Sequence, residues 1–432
     1  MGTFITNLVI VACGFITGVL TARFLLPEGR GALAAVIFWP QLLSGIGIMS
    51  LHEATTYRVG RWSENAEEII KTAFWLAIFL SVLVSVLGYL AIPFLLDAKR
   101  QDLWSLSRSY LLVFIPFNFI ALTLLATDHG RLRFSAYNRL RLLTPLIYLM
   151  GIVLLWLAGK VTVAWVVVIN ALAIVIVAIL TILLNGTLLF SMPVFSRAWE
   201  LLKNGWSFHV VVLLTICSTQ ADRFVILRLW DNAMLGLYMV ALNFATAGLN
   251  VVGSAFHTVM FPTLANTPRD LQALRLKEGI RRAMFLLFIV TGPLFILAPW
   301  VVPLVFGQAF KPAGVISLVL LLACSLIALK TIITRSLRGL GKGLPGAMAE
   351  FLSVGLFLVV VWPLSSRLNI LGIGVALIVA NIVALLYLGL YLKRRHQIEL
   401  RECWGITPAT ARLFSKAVRD LLDNYRMGTE AR

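Results

Sequence analysis

Long apolar runs, separated by short gaps that hold most of the charge, recur along all 432 residues of this chain. They fall at about 4–26, 32–52, 70–96, 108–127, 140–158, 161–190, 207–229, 233–262, 282–306, 313–337, 345–366 and 370–392. A helix needs roughly 20 apolar residues to cross the hydrocarbon of a bilayer. In lipid, only helices and closed barrels satisfy every backbone polar group, and runs of this length predict helices. The expected fold class is therefore all-α, a polytopic integral membrane protein with about 12 transmembrane helices. Composition excludes the rival classes. The chain is 60% hydrophobic and 13% charged, whereas a soluble domain is about 25% charged. Neither a soluble globular enzyme nor a disordered protein fits. The first run, Phe4 to Leu26, is too long for a signal-peptide core and lacks a basic segment before it. It reads as an uncleaved first span.

The net charge of +18 would suggest a nucleic-acid partner in a soluble protein. Here the basic residues sit between apolar runs, which is the arrangement the positive-inside rule produces, so no nucleic acid is expected. Alternate gaps are unequal. One side, including the tail, collects 26 Lys and Arg, and the other holds nine. Arg223 and Lys330 lie within spans. The asymmetry predicts that both termini are cytoplasmic. The gaps on the other side are too short for a soluble catalytic domain, so function must lie among the helices or at their mouths.

Enzyme chemistry finds little support. His52, His129, His209, His257 and His396 are isolated, without an HExxH pattern, and no GxSxG elbow occurs. Cys13, Cys217, Cys324 and Cys403 share no CxxC spacing, which suggests neither a disulfide framework nor a zinc site. Gly341-Lys342-Gly343-Leu344-Pro345-Gly346 matches GxGxxG, but no strand precedes it, and a dinucleotide fingerprint needs a strand–turn–helix context. No cofactor and no metal are expected, and the chain is not expected to be an enzyme.

Charges inside the spans are more informative, because each costs about 2.5–3.5 kcal/mol at the bilayer centre on insertion scales. Asp222 and Arg223 lie in the seventh span and Lys330 in the tenth, with Arg335 further along the same run. Arg23 closes the first span, while Glu53 and Arg58 close the second. Glu350 opens the eleventh span near Lys342. One reading makes these interhelix ion pairs and snorkelling side chains, and it fits Arg23, Arg58 and Glu350 best. The other is a basic central cavity for an anionic substrate, which fits Arg223, Lys330 and Arg335 best. Guanidinium groups bind phosphate oxygens bidentately, so phosphate or pyrophosphate is the matching chemistry.

Prolines at 40, 93, 116, 145, 293, 299, 303 and 363 fall within the spans and permit bends. Gly14 and Gly18 form a GxxxG pair, which allows close helix contact. An even span count allows two parallel six-helix halves. A shift of 205 residues pairs Arg23 with Arg228, Gly31 with Gly236 and His52 with His257, three coincidences that are near chance for this composition.

Several turns have a family likeness. Ala22-Arg23-Phe24-Leu25-Leu26-Pro27-Glu28-Gly29-Arg30-Gly31 resembles the A-R-x-L-G-P-x-G-x-G signature of oligosaccharide flippases of the multidrug/oligosaccharidyl-lipid/polysaccharide exporter superfamily. Leu26 stands where that signature often has Gly. Asp222-Arg223-Phe224 followed by Leu235-Gly236-Leu237-Tyr238 resembles the segment that opens the second half. Phe261-Pro262, Phe306-Gly307 and Leu340-Gly341-Lys342 fall where the family has similar pairs.

The resemblance implies a MATE-like carrier of two six-helix lobes in the bacterial inner membrane. On this sequence the lobes fall at 1–190 and 207–392, joined by a cytoplasmic linker at 191–206 and followed by a basic cytoplasmic tail at 393–432. Its implied activity is moving undecaprenyl-pyrophosphate-linked oligosaccharide between leaflets by alternating access, for O-antigen, capsule or exopolysaccharide assembly. Motif position carries over Arg23, Arg30, Asp222 and Arg223 as site candidates. Expected partners are the lipid-linked oligosaccharide, membrane lipids and other polysaccharide-assembly proteins. Three alternatives stay open: a multidrug or organic-cation antiporter using Asp222 or Glu53 for ion coupling, the fourteen-span lipid II flippase branch, and a membrane polysaccharide polymerase or ligase.

Overall fold

The computed structural model describes residues 2–61, 65–186, 189, 191–265, 268 and 271–399, without the side chains of 195, 207, 208, 211, 254, 255 and 257–265. Cys403, Arg269 and the tail beyond Glu399 lie outside the described residues, as do the side chains of His257, Phe261 and Pro262. All regular structure among the described residues is helical: α1 (Thr3–Gly47), α2 (Leu51–Arg61), α3 (Ala66–Leu95), α4 (Trp104–Gly130), α5 (Phe134–Leu157), α6 (Val163–Asn185), α7 (Phe195–Leu229), α8 (Asn232–Ala265), α9 (Gln272–Phe306), α10 (Lys311–Gly339), α11 (Leu344–Leu368) and α12 (Ile370–His396). Short 3₁₀ turns at Ala98–Leu103 and Gln308–Phe310 precede α4 and α10.

Ten of these segments are long and apolar enough to cross a membrane. Two further crossings complete the expected twelve, and each has a local cause. α1 breaks at Leu26, whose φ of 59° and ψ of 176° are not helical. Pro27 follows, and its ring disfavours the helical region for the preceding residue, so one unit of 45 residues becomes two crossings joined by a corner. α7 is the other. Its far half carries Ser218, Thr219, Gln220, Asp222 and Arg223, which lowers its hydropathy although it is 35 residues long. A polar stripe on a crossing helix turns to the protein interior or to a wet cavity.

The second span ends at Gly47 rather than residue 52. Met49 and Ser50 take left-handed φ values of 49° and 52°, and the short polar helix α2 follows. α7 begins at Phe195, so its first turns and the membrane crossing form one continuous rod. α8 starts on Asp231, whose carboxylate accepts from the Met234 amide at 2.8 Å. α10 and α11 each start with a proline in the first turn, where its missing N–H costs nothing.

α1 packs on α3–α6 and on α8, α2 packs on α3, α4 and α7, and α8–α12 pack on one another; α1–α6 are called the first lobe and α7–α12 the second. The molecule has a terminal face, bearing the start of α1 and the end of α12, and a far face, bearing the Leu26 corner. The lobes meet most extensively along α1 and α8. Gly31 and Gly236 sit at that crossing. A Cβ on Gly31 would overlap the Asn232 carbonyl, and a Cβ on Gly236 would overlap that of Pro27. Lower down, the Asn243 amide fills the hollow that Gly18 leaves by lacking a Cβ.

Candidate functional site: a polar cavity between the lobes

A cavity of about 610 Å³ lies between the lobes. Its walls come from α1, α5, α6, α7 and α8. Its polar lining includes Thr17, Thr21, Arg30, Gln41, Tyr148, Asn170, Gln220, Arg223, Asn243 and Asn250, and among the described residues no carboxylate lines it. A second cavity of about 420 Å³ lies within the second lobe, lined by Ser218, Thr219, Asp222, Thr331 and Arg335 among others. Arg223, Leu242, Thr246 and Asn250 line both, so Arg223 stands on the wall between them.

The two arginines of the first cavity are incompletely satisfied. Arg223 Nη1 donates to Gln220 Oε1 at 2.7 Å, but its buried Nε has no partner, and neither has the buried Nε of Arg30. A buried unpaired donor is costly, and a guanidinium has five N–H donors in a planar fork. The pair therefore offers unspent, charge-bearing donors to the cavity. Asp222, next to Arg223 in sequence, is 6% exposed and points elsewhere: Tyr238 Oη donates to its Oδ2 at 2.6 Å. Tyr110 Oη is held by Asn170 Oδ1 at 2.7 Å behind the α6 wall.

Four other sequence candidates sit away from the cavities. Lys330 is 1% exposed, and its Nζ pairs with Glu350 at 2.7 Å, with Ser218 Oγ at 3.3 Å as a second contact. It is a buried ion pair between α10 and α11, and it reaches the cavity wall only through Ser218. Glu350 thus pairs with Lys330, not with the neighbouring Lys342. Arg58, on α2, pairs with Glu200 of α7 at 2.9 Å on the terminal face. Arg23 lies on the far face and donates at 2.6 Å to the carbonyls of Leu304 and Val305. Glu53 is exposed on α2. Partial desolvation raises its carboxyl from the usual value, with Arg338 pulling the other way. Of the sequence candidates, Arg30, Arg223, Arg335 and Asp222 line one or both of these two cavities.

Sequence reasoning missed the neutral part of the lining. Asn170, Gln220, Asn243 and Asn250 are amides inside apolar runs, and a search for intramembrane amides as well as charges finds them. Among the described residues, no group of three or more His, Cys, Asp or Glu could hold a metal ion.

A bundle of membrane-length helices around a polar, arginine-bearing cavity defines a multi-pass membrane protein. Solved structures share its fold. The lipid II flippase MurJ in an inward closed conformation superposes with a TM-score of 0.76 at 13% identity, covering 90% of this chain and 87% of that one. A MATE family multidrug resistance transporter in its inward-facing conformation gives 0.72 at 16% identity, covering 91% and 94%. A MATE transporter in its outward-facing conformation gives 0.56 at 15% identity, covering 91% and 95%. The chain belongs to the polysaccharide biosynthesis protein family, whose model matches residues 20–314. No curated protein matches it in sequence.

Proposed function

We propose that this protein flips an undecaprenyl-pyrophosphate-linked oligosaccharide from the cytoplasmic to the periplasmic leaflet of the bacterial inner membrane, as a transporter and not an enzyme. The observation that carries the reading is the inter-lobe cavity. Arg30 and Arg223 line it with unpartnered buried donors, and among the described residues no carboxylate lines it. Such a cavity suits a phosphate-bearing head group, because arginine meets phosphate oxygens in charge-assisted, often bidentate, bonds. The amides and hydroxyls of Thr17, Thr21, Asn170, Asn243 and Asn250 suit the hydroxyls of a glycan. Family membership in polysaccharide biosynthesis supports the same cargo. The excess of Lys and Arg on the terminal side supports cytoplasmic termini.

The antiporter reading rests on Asp222, which among the described residues is the carboxylate lining the second cavity. Its bond to Tyr238 and its neighbour Arg223 make that site a poor host for an organic cation.

The test is leaflet accessibility of the lipid-linked oligosaccharide in cells lacking the protein. Accumulation on the cytoplasmic face is expected. The wild-type protein should reverse it, and R30Q and R223Q should not. Normal glycan export with raised sensitivity to cationic drugs would overturn the reading in favour of the antiporter.

A further inference from the structure

On the far face, three arginines make contacts that run between the lobes. Arg100, in the 3₁₀ turn after α3, is 4% exposed. It makes three bonds of 2.7 Å, to the Leu227 carbonyl, the Trp230 carbonyl and Asn232 Oδ1. Arg228, in the last turn of α7, donates at 2.9 Å to the Phe94 carbonyl near the end of α3. Arg23 donates to the carbonyls of Leu304 and Val305 in the last turn of α9. Each guanidinium therefore meets the end of a helix from the opposite lobe, where carbonyls lack intrahelical partners and the helix dipole is negative.

The pattern is reciprocal. The 205-residue shift that pairs Arg23 with Arg228 also pairs Pro27 with Asn232 and Gly31 with Gly236. In space, Gly31 abuts Asn232 while Gly236 abuts Pro27, so the two halves touch at matched positions.

We infer that Arg23, Arg100 and Arg228 form a latch that holds the far face shut, seated on the Gly31–Gly236 contact. Their acceptors are backbone carbonyls at helix ends. Arg23 and Arg228 are exposed, so water replaces those bonds when the lobes part. A seam of this kind closes firmly yet reopens, which an apolar interface fused to the core does not. The inference rests on the transporter reading only in requiring that the cavity open to the far face. It assigns these arginines to the closure, not to the cargo.

The test places one reporter thiol, A34C, in the inter-lobe cavity about one turn below Gly31, with Cys13, Cys217, Cys324 and Cys403 replaced by Ala. A charged, membrane-impermeant thiol reagent is added to either face of oriented vesicles, and the ratio of far-face to terminal-face labelling is read. Terminal-face labelling should dominate in the parent. R100Q, R228Q and R23Q should each raise the ratio about tenfold, the effect of losing one charge-assisted hydrogen bond.

R108Q is the control, because Arg108 bonds within its own lobe, to the Tyr89 carbonyl at 3.1 Å and over the Tyr89 ring at 4.5 Å. It should leave the ratio unchanged. An unchanged ratio in R100Q and R228Q overturns the latch, as does an equal rise in R108Q. If R100Q fails to fold, R228Q and R23Q still decide. The measurement needs no cargo, so a wrong cargo assignment leaves it intact. Loss of glycan export with unchanged labelling sinks the latch alone.

Discussion

Tyr238 Oη donates a 2.6 Å hydrogen bond to Asp222 Oδ2 across the α7–α8 contact, with Tyr238 fully buried. The bond holds this cavity-lining carboxylate against its own lobe. Tyr238→Phe leaves that oxygen buried without a donor. A loss of about 1–3 kcal/mol is expected, read as a lower Tm in detergent. An unchanged Tm would mean that Asp222 turns to another donor, and would return it to the cavity as a free acid.

Arg30 and Arg223 should behave alike despite lying in different lobes. Replacing either with Gln should cut glycan export about tenfold or more, since a charge-assisted bond contributes about 1.5–3 kcal/mol. Tm should change little, because neither makes a salt bridge among the described residues. Lys at either position should restore export only partly, lacking the planar fork. Full export from both Gln variants would remove the anionic head group from the proposal.

Lys330 and Glu350 should separate cleanly from transport chemistry. Glu350→Gln leaves a buried ammonium unpaired, which costs about 3–5 kcal/mol. The double variant K330M/E350M should recover most of that stability, since apolar replacements of buried pairs are often neutral. It should also retain export. A stable double variant without export would show that the pair acts on the cavity through Ser218.

Gly31→Ala meets a backbone carbonyl, which no rotamer change can move aside. The lobes should be forced apart at the far face, with the A34C reporter labelled faster from that side. Gly236→Ala should give the same result, because its contact with Pro27 mirrors the first. Gly14→Ala is the comparison, as nothing lies near its added Cβ.

Much of the scaffold is legible in the sequence. Apolar runs mark the crossings, and Leu26-Pro27 marks the first corner, since the proline bars helix at the residue before it. The site is less legible, because a charge in a span declares its cost but not its partner. Lys330 and Arg223 look alike on the chain. One finds Glu350 a helix away and disappears into the core, and the other finds only a neighbouring Gln220 and stays at the cavity. The arginine cap at Arg100 was invisible for another reason. Its acceptors are mostly backbone carbonyls, and every residue has one. The Gly31–Gly236 contact was present as a coincidence of spacing, and only the fold gives it weight.

α7 opens the second half of the chain, yet the first half grips it at both ends. At the terminal face, Arg58 holds Glu200 at 2.9 Å, Glu68 holds Arg197 at 3.4 Å, and Thr72 Oγ1 accepts from the Val194 amide at 3.1 Å. At the far face, Arg100 clasps the carbonyls of Leu227 and Trp230. A rod clamped twice by its opposite number works as a connecting rod. The lobes cannot swing as independent bodies: for either mouth to widen, α7 must bend along its polar stretch at 218–223 or surrender one clamp, which ties the motion of the cavity wall to the identity of the open side.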